Sequence, residues 1–250
     1  NIRWLHENAR GLDVEIEDAS ERIAAMALQG PTSGALMRKI ADADVASLNY
    51  FGMVSGKIHG MPVDISRTGY TGDLGFEIWT AAEDAAKVWD VLMQEGRAFG
   101  VKPAGMLALD VSRIEAGLLL IDVDFFSSRR AQIASQLYSP YEMSLDRLVD
   151  LKKDRFVGKS ALAAELKRGP RRRIVGLDFE WPEVEKIYEK VGLPPMTVAT
   201  ASRVAVPVYG ARGQAGRATS TTWSPVLKRM IALATIDAAH ATPGTRVEVE

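Results

Sequence analysis

Residues 61–79 constrain the fold most, because glycines there separate two short runs of alternating residues. Apolar and polar side chains alternate over residues 63–66, which is the period of a half-buried strand. Three glycines follow at intervals of three: Gly69, Gly72 and Gly75. Beyond them Phe76 and Ile78 lie on one face of a second run and Glu77 lies on the other. The pattern predicts a strand, a tight turn and a strand, with Glu77 beside a glycine-rich bend.

Arg67 and Tyr70 precede Glu77 within this stretch, and spacing alone leaves two interpretations open. In the plainer one, the segment is an ordinary hairpin in which Glu77 pairs with Arg67 in solvent. In the other, Glu77 is a carboxylate presented beside the glycine-rich bend, with Arg67 and Tyr70 just before it. Residue spacing by itself favours the plain hairpin.

Composition indicates a globular protein and excludes several kinds of site. The chain has 250 residues, of which 47% are apolar and 25% are charged, so one or two domains are expected. A net charge of -1 gives no general attraction to nucleic acid. The sequence has no cysteine, and its three histidines lack metal-ligand spacing, so we expect no disulfide and no metal. Neither a long apolar run nor a signal peptide is evident, and the expectation is a cytoplasmic protein without membrane contact.

Other patterns predict the surrounding elements. Helices are expected over residues 1–10, 33–40, 83–99 and 103–116, and strands over 14–16 and 23–28. In the third helix the predicted apolar face consists of Ala86, Val88, Trp89 and Leu92. In the fourth it consists of Leu107, Val111, Ile114 and Leu118.

A second stripe of the fourth helix carries Asp110, Arg113 and Gly117. At a spacing of three, Asp110 can pair with Arg113 and hold its guanidinium in place. The plainer interpretation is a surface ion pair of small energetic value. Nearby, Asp122 and Asp124 would suit a metal, but no other ligand supports one.

Two strings of residues resemble signatures of the folate-dependent aminomethyltransferase family, which includes the T-protein of the glycine cleavage system. The first is RTGYTG at residues 67–72 followed by GFEI at 75–78, and the second is DVSRIEAG at 110–117. The strings ALQGP at 27–31 and FVGKSAL at 156–162 are also similar to family elements. The resemblance extends over most of the chain.

The resemblance implies an α+β fold with an aminomethyltransferase-like core of antiparallel sheets and packed helices. This core is expected over residues 1–168, without the N-terminal region of the family. Gly169 and Pro170, within a basic run at 167–173, mark the predicted boundary. Short predicted strands follow it, and the resemblance implies a small β-barrel domain over residues 169–250 that lacks the last family strand.

The resemblance also implies transfer of a one-carbon unit from a small or carrier-bound donor to tetrahydrofolate. Glu77 is then expected to accept hydrogen bonds from the amino-pyrimidine edge of the cofactor. Arg113 is expected to meet a cofactor carbonyl or carboxylate, with Tyr70 and Arg67 close to the ligand. An acidic lipoyl carrier protein is a possible partner for the basic run at 167–173, although a solvated linker is the plainer interpretation of that run.

Two departures from the family keep other functions open. Asn1 aligns with a catalytic aspartate of the T-proteins, and an amide cannot carry the negative charge or act as a base. Residues 181–195 form a helical-looking insertion that is more similar to tetrahydrofolate-dependent demethylases. An O- or S-demethylase is therefore the first alternative, and a non-catalytic folate-binding protein is the second. Whether methylene or methyl is transferred stays open.

Overall fold

The computed structural model describes residues 2–197 and 200–250 and divides the chain into two compact units. The first unit is Asn1–Pro103 and the second is Ala104–Glu250. Asn1, the predicted catalytic position, lies outside the described residues.

The described residues of the first unit form one antiparallel sheet and three α-helices. Its elements are α1 (Ile2–Asn8), β1 (Ile23–Gln29), α2 (Ser33–Ile40), β2 (Ala41–Asp42), β3 (Met53–Ile58), β4 (Met61–Ser66), β5 (Gly75–Ala81) and α3 (Ala85–Gly96). Short 3-10 turns at Ala82–Asp84 and Arg97–Phe99 flank α3. Gly100 has φ 75°, so the helical segment ends in the left-handed conformation that glycine adopts without strain.

The strands of this unit pair antiparallel in the order β1-β5-β4-β3-β2. The predicted alternation in β5 is confirmed, since Phe76 and Ile78 are buried in a core with residues of α2 and α3. Glu77 lies between them and points to the opposite face, where Ile23 and Trp79 are largely exposed. The uncovered face of the sheet therefore presents Glu77.

Several local predictions for this unit are wrong. Residues 14–16 form no strand, although their alternation suggested one. In α3, Trp89 and Ala86 are exposed, and the buried positions include Val88 and Leu92. The helical period was right, but the buried stripe is rotated away from Trp89.

In the second unit, the part of the chain that the structure describes forms a second antiparallel sheet and three further α-helices. Its elements are α4 (Met106–Glu115), α5 (Lys159–Arg168), β6 (Arg172–Asp178), α6 (Trp181–Glu189), β7 (Val206–Gly210), β8 (Gly213–Ser224), β9 (Arg229–Asp237) and β10 (Glu248–Val249). Three 3-10 turns lie at Ala134–Gln136, Asp146–Leu148 and Ala238–His240. The sheet order is β10-β7-β8-β9-β6, and the register of β8 shifts between Ala218 and Ser220.

Helix α4 buries a polar stripe, contrary to the prediction for its apolar residues. Asp110, Arg113 and Ile114 are buried, whereas Leu107 is exposed and Val111 and Leu118 are half-buried, so the prediction for Leu107 is wrong. Because α4 packs against β8, this stripe meets the hydroxyl side chains of that strand. The predicted pair between Asp110 and Arg113 is therefore an interior contact and not a surface one.

The segment around Gly169 separates α5 from the second sheet. Helix α5 ends at Arg168, Gly169 has φ 82°, and β6 begins at Arg172. A domain boundary at 168/169 stays a prediction. In the described part of the chain no helix is long and apolar enough to cross a membrane.

Candidate functional site

The loop between β4 and β5 is held in place by the side chain of Gln29, at the end of β1. Its amide nitrogen donates to the carbonyl oxygens of Thr68, at 3.2 Å, and Phe76, at 3.3 Å. Its amide oxygen accepts from the Thr71 hydroxyl at 3.3 Å. One side chain thus ties both ends of the loop to the sheet.

Two of the signature glycines lie directly against the Gln29 amide. A Cβ at Gly69 or Gly75 would collide with the Gln29 amide. The loop is fixed further at Leu74, whose carbonyl oxygen accepts from the Gly30 amide at 2.9 Å and the Ser33 hydroxyl at 3.0 Å. The strings 27–31 and 67–78 are therefore parts of one interlocked structure.

Glu77 lies next to this loop on the uncovered face of the sheet. Its carboxylate accepts a hydrogen bond from the Thr68 hydroxyl, which is in turn 2.7 Å from the Ser66 hydroxyl. Glu77 is half-buried, and this hydrogen bond orients its carboxylate on strand β5 at the surface of the unit. A carboxylate oriented in this way can accept further N–H groups from a ligand.

Arg67 has a different partner from the one that the plain hairpin requires. Its guanidinium donates to the carbonyl oxygen of Leu48 at 2.7 Å. Within the described residues, the structure shows no ion pair between Arg67 and Glu77. Tyr70 is half-buried in the same loop. Arg67, Tyr70 and Glu77 thus belong to one loop and strand of the first unit.

Arg113 belongs to the second unit, where its guanidinium is completely buried. Its Nε donates to Asp110 at 3.2 Å, one Nη donates to Asp124 at 2.6 Å, and the other Nη donates to Ser220 at 2.9 Å. The side chain therefore joins α4, the loop after it and β8. Direct contact between Arg113 and a ligand stays a prediction.

Asp124, the partner of Arg113, is also completely buried. One carboxylate oxygen accepts from the hydroxyls of Thr219 and Ser220, each at 2.7 Å, and the other accepts from the Leu120 amide at 2.7 Å. The register shift in β8 lies at these two hydroxyl residues. Each of these contacts is a hydrogen bond that the Asp124 carboxylate accepts, so both of its oxygens are engaged inside the unit.

Asp122, the second acid of this loop, is held by a backbone amide. The Ser127 amide donates to its carboxylate at 2.9 Å, and this hydrogen bond lowers the pKa of Asp122. Among the described residues, no group of three histidine, cysteine, aspartate or glutamate side chains is arranged to hold a metal ion.

Sequence reasoning missed two residues, Gln29 and Arg203. Arg203 donates from Nε to Asp110 at 2.8 Å, and its Nη2 lies 2.6 Å from the same oxygen. In the sequence, Gln29 is marked only by its place in the ALQGP string, and Arg203 belongs to no motif before β7. Neither has a local pattern, because both act on residues distant in sequence.

The basic run at 167–173 is only partly available to a partner. Arg172 donates to the carbonyls of Ser135 and Leu137 and is paired with Glu142. Arg173 is paired with Asp146, and this hydrogen bond lowers the pKa of Asp146. Three basic residues of the run remain exposed: Lys167, Arg168 and Arg171.

The fold and the site define an α+β protein of two antiparallel sheets, with a carboxylate fixed beside a glycine loop. The chain belongs to the glycine cleavage T-protein family. The family model described as the GCVT N-terminal domain matches residues 1–153. The model described as the glycine cleavage T-protein C-terminal barrel domain matches residues 190–250.

Individual relatives support the same assignment. The aminomethyltransferases of Moorella thermoacetica and Geobacillus thermodenitrificans are each 36% identical to the chain, over 249 and 252 residues, and that of Bacillus subtilis is 34% identical over 252. Each alignment covers 100% of this chain but only 61%, 62% and 62% of the respective relative. The chain thus spans about three-fifths of the length of these relatives.

A solved structure shows the same fold. The crystal structure of glycine cleavage system aminomethyltransferase T from Bartonella henselae matches with a TM-score of 0.76 at 24% identity. The match covers 100% of this chain and 60% of that one.

Proposed function

We propose that the protein carrying this chain is a tetrahydrofolate-dependent one-carbon transferase of the aminomethyltransferase type. The observation that carries the proposal is Glu77, oriented beside the Gln29-fixed loop in a chain 36% identical to an aminomethyltransferase. A donor that is small or carrier-bound would supply the carbon unit. A cytoplasmic location and independence from nucleic acid and membrane belong to the same proposal.

The residues of the loop fit the pterin end of tetrahydrofolate. The amino-pyrimidine edge presents adjacent N–H donors, and an oriented carboxylate such as that of Glu77 accepts them as charge-assisted hydrogen bonds. The Thr68 hydroxyl holds the carboxylate before the ligand arrives, so less side-chain entropy is lost on binding. Tyr70 and Arg67 are the further ligand contacts that we propose on this loop.

The remaining task of the protein is positioning. Tetrahydrofolate, when bound, would supply the nitrogens that accept the one-carbon unit. Holding donor and acceptor in reacting geometry contributes more than any single protein group, because it removes the translational entropy of a bimolecular step. Asn1 is the proposed residue near the reacting atoms, and it would act as a hydrogen-bond partner and not as a base.

A turnover assay tests this proposal. The natural gene product that carries this chain is incubated with tetrahydrofolate and an aminomethyl-loaded lipoyl carrier, and methylene transfer is measured. Methylene-tetrahydrofolate formed in proportion to the carrier would support the aminomethyltransferase type. An Asn1→Asp variant, numbered as here, is expected to raise the rate if this position serves the same chemistry as an aspartate.

A demethylase of the same family is the second candidate, and α6 favours it. The predicted insertion forms a helix at Trp181–Glu189, and Trp181 contacts Trp223 of β8 with ring centroids 5.2 Å apart. Methyl transfer from a methoxy-aromatic or sulfonium donor, without transfer from the lipoyl carrier, would support this candidate. Folate binding without turnover on either donor class would instead support a non-catalytic folate-binding protein.

The exposed part of the basic run is the proposed contact for an acidic carrier. Lys167, Arg168 and Arg171 are free of the internal contacts that engage Arg172 and Arg173. Replacing the first three by glutamine should raise the apparent KM for the carrier and leave small-donor kinetics unchanged. Equal kinetics with the carrier would show that this run is only a solvated linker.

A further inference from the structure

Asp110 of α4 is almost completely buried and is shared by two arginines with different surroundings. Arg113 donates to one oxygen at 3.2 Å, and Arg203 donates to the other at 2.8 Å from Nε. The Arg113 side chain is 0% exposed, whereas the Arg203 side chain is 45% exposed. Arg203 is therefore the member of this buried charge network that reaches solvent.

The network needs a second cation, but it does not need an arginine in this orientation. Asp110 and Asp124 together carry two negative charges, and Arg113 supplies one positive charge. An ammonium group could neutralise Asp110 equally well as a point charge. Arg203 instead places its Nε and Nη2 against Asp110, and these two contacts along one edge fix the plane of the guanidinium.

The geometry points to Arg203 as a binding residue for a carboxylate of a small ligand. Within the described residues, its Nη1 has no hydrogen-bond partner or ion pair. A guanidinium gripped along one edge presents its other edge, Nη1 with the second N–H of Nη2, in a fixed fork that matches a carboxylate. Because Asp110 holds the side chain in advance, little rotamer entropy is lost on binding.

Arg229, the first residue of β9, is a matched comparison within the same unit. It is 53% exposed and pairs through Nη1 with Asp178, which is itself 56% exposed. A surface pair of this kind holds neither side chain firmly. Exposure and an acidic partner are thus common to both arginines, and only Arg203 is anchored to a buried carboxylate.

The inference rests on the proposed function for the identity of the ligand. A carboxylate of this kind occurs on the glutamyl tail of tetrahydrofolate and on small acidic donors such as a methoxybenzoate. Two pairs of probes separate the sources: tetrahydrofolate against 6-methyltetrahydropterin, which lacks the tail, and methoxybenzoate against methoxybenzene. Dissociation constants are measured by titration calorimetry on the natural gene product, on its Arg203→Gln and Arg203→Lys variants, and on Arg229→Gln.

Arg203→Gln is expected to weaken one carboxylate probe by about ten- to a hundredfold, the range for losing a charged hydrogen bond, and to leave its carboxylate-free partner unchanged. Arg203→Lys should show the same selective loss of affinity for the carboxylate probe. Its thermal midpoint should stay unchanged, because the lysine still neutralises Asp110. If Arg203→Gln does not fold, the affinities of Arg203→Lys test the inference. Arg229→Gln should change nothing.

Wild-type affinity for every probe in both variants would overturn the inference and leave Arg203 a structural counter-ion. Equal losses for both members of a pair would overturn it too. Suppose that the unaltered protein binds tetrahydrofolate and that the Arg203→Gln variant binds every probe with the same dissociation constant. The proposed function then stands and only the inference fails. If it binds none of the probes, both fail.

Discussion

Glu77 and Arg113 are charged residues of the family strings with very different surroundings. Glu77 is half-buried on an uncovered sheet face and is oriented by one hydroxyl. Arg113 is completely buried among two carboxylates and a serine. Substitutions at the two positions should therefore affect different quantities, binding at the first and folding at the second.

Glu77→Gln should retain the fold and lose affinity for tetrahydrofolate. The amide keeps an oxygen for the Thr68 hydroxyl, but its NH₂ group faces the donors of the pterin. Losing a charged hydrogen bond costs about 1.5–3 kcal/mol, which corresponds to about ten- to a hundredfold in dissociation constant. Asp64→Asn is the control, since Asp64 is exposed on the same face and bonded to Ser55 at 2.5 Å. Unchanged affinity in Glu77→Gln would falsify the assignment of this site.

Arg113→Leu should destabilise the protein by about 3–5 kcal/mol, because it leaves two buried carboxylates without their shared cation. Urea unfolding followed by tryptophan fluorescence measures the change. The control is Arg229→Leu, where an exposed pair with Asp178 is lost and about 1 kcal/mol or less is expected. A loss no larger for Arg113→Leu than for the control would contradict the structural role of the network.

At the scale of elements, the β4–β5 loop is shaped by an element that precedes it by about forty residues. Gln29 closes the loop through three hydrogen bonds, and the approach of its amide excludes a Cβ at Gly69 and Gly75. A side chain at either glycine would thus have to displace the Gln29 amide from its hydrogen bonds, and neither glycine has a positive φ. The glycine spacing in the sequence predicts where the loop lies, but it does not show that Gln29 packs against Gly69 and Gly75.

Gly75→Ala should destabilise the protein by about 1–3 kcal/mol, the range for overpacking a filled site. In a Gln29→Ala background the same substitution should cost less, since the colliding amide is gone, and the double-mutant cycle gives the coupling. Gly176→Ala is the control, because this strand glycine has nothing within 4 Å of a Cβ. Additive effects of Gln29→Ala and Gly75→Ala would show that the close approach has no energetic consequence.

Most elements followed from periodicity, and the errors share a physical reason. Helix α2 and strands β4 and β5 formed where predicted because each buries one face against the same core. Trp89 and Leu107 are exposed because periodicity does not say which side of a helix meets a neighbour. Alternation at residues 14–16 gave no strand because alternation does not supply the second strand with which a strand must pair. The polar stripe of α4 is buried only because β8 supplies matching hydroxyls more than 100 residues later.

In the candidate site, too, a local sequence pattern identifies some residues and not those whose roles depend on distant contacts. Glu77 could be chosen from its position opposite Phe76 and Ile78, which is a local pattern. Arg203 and Asp124 could not be chosen in this way, since their roles arise from contacts with Asp110 and Arg113 that only the fold creates.

For the whole molecule, the segment after α5 is the proposed domain boundary. Limited trypsin digestion should cut first within residues 167–171 or 181–195, where exposed basic residues lie in or next to α5 and α6. Cleavage at Arg172 or Arg173 should be slower, because both lie in β6 and their side chains are engaged. N-terminal sequencing of the fragments gives the sites. Early cleavage inside residues 76–120 would count against the proposed division at 168/169.

Binding of tetrahydrofolate should stabilise the whole natural protein against heat, whereas NAD, ATP and divalent metals should not. A ligand that binds only the native state adds about 2.7 kcal/mol at a hundredfold excess over its dissociation constant. The expectation rests on the loop around Glu77 and on a sequence without a complete dinucleotide or phosphate-loop motif. Because this chain spans about three-fifths of its relatives, the natural gene product is the sample to use. Differential scanning calorimetry across a folate titration measures the shift, with Glu77→Gln as the paired sample. A midpoint that does not move at saturating tetrahydrofolate would reject folate binding, and an equal shift in both samples would place the ligand away from Glu77.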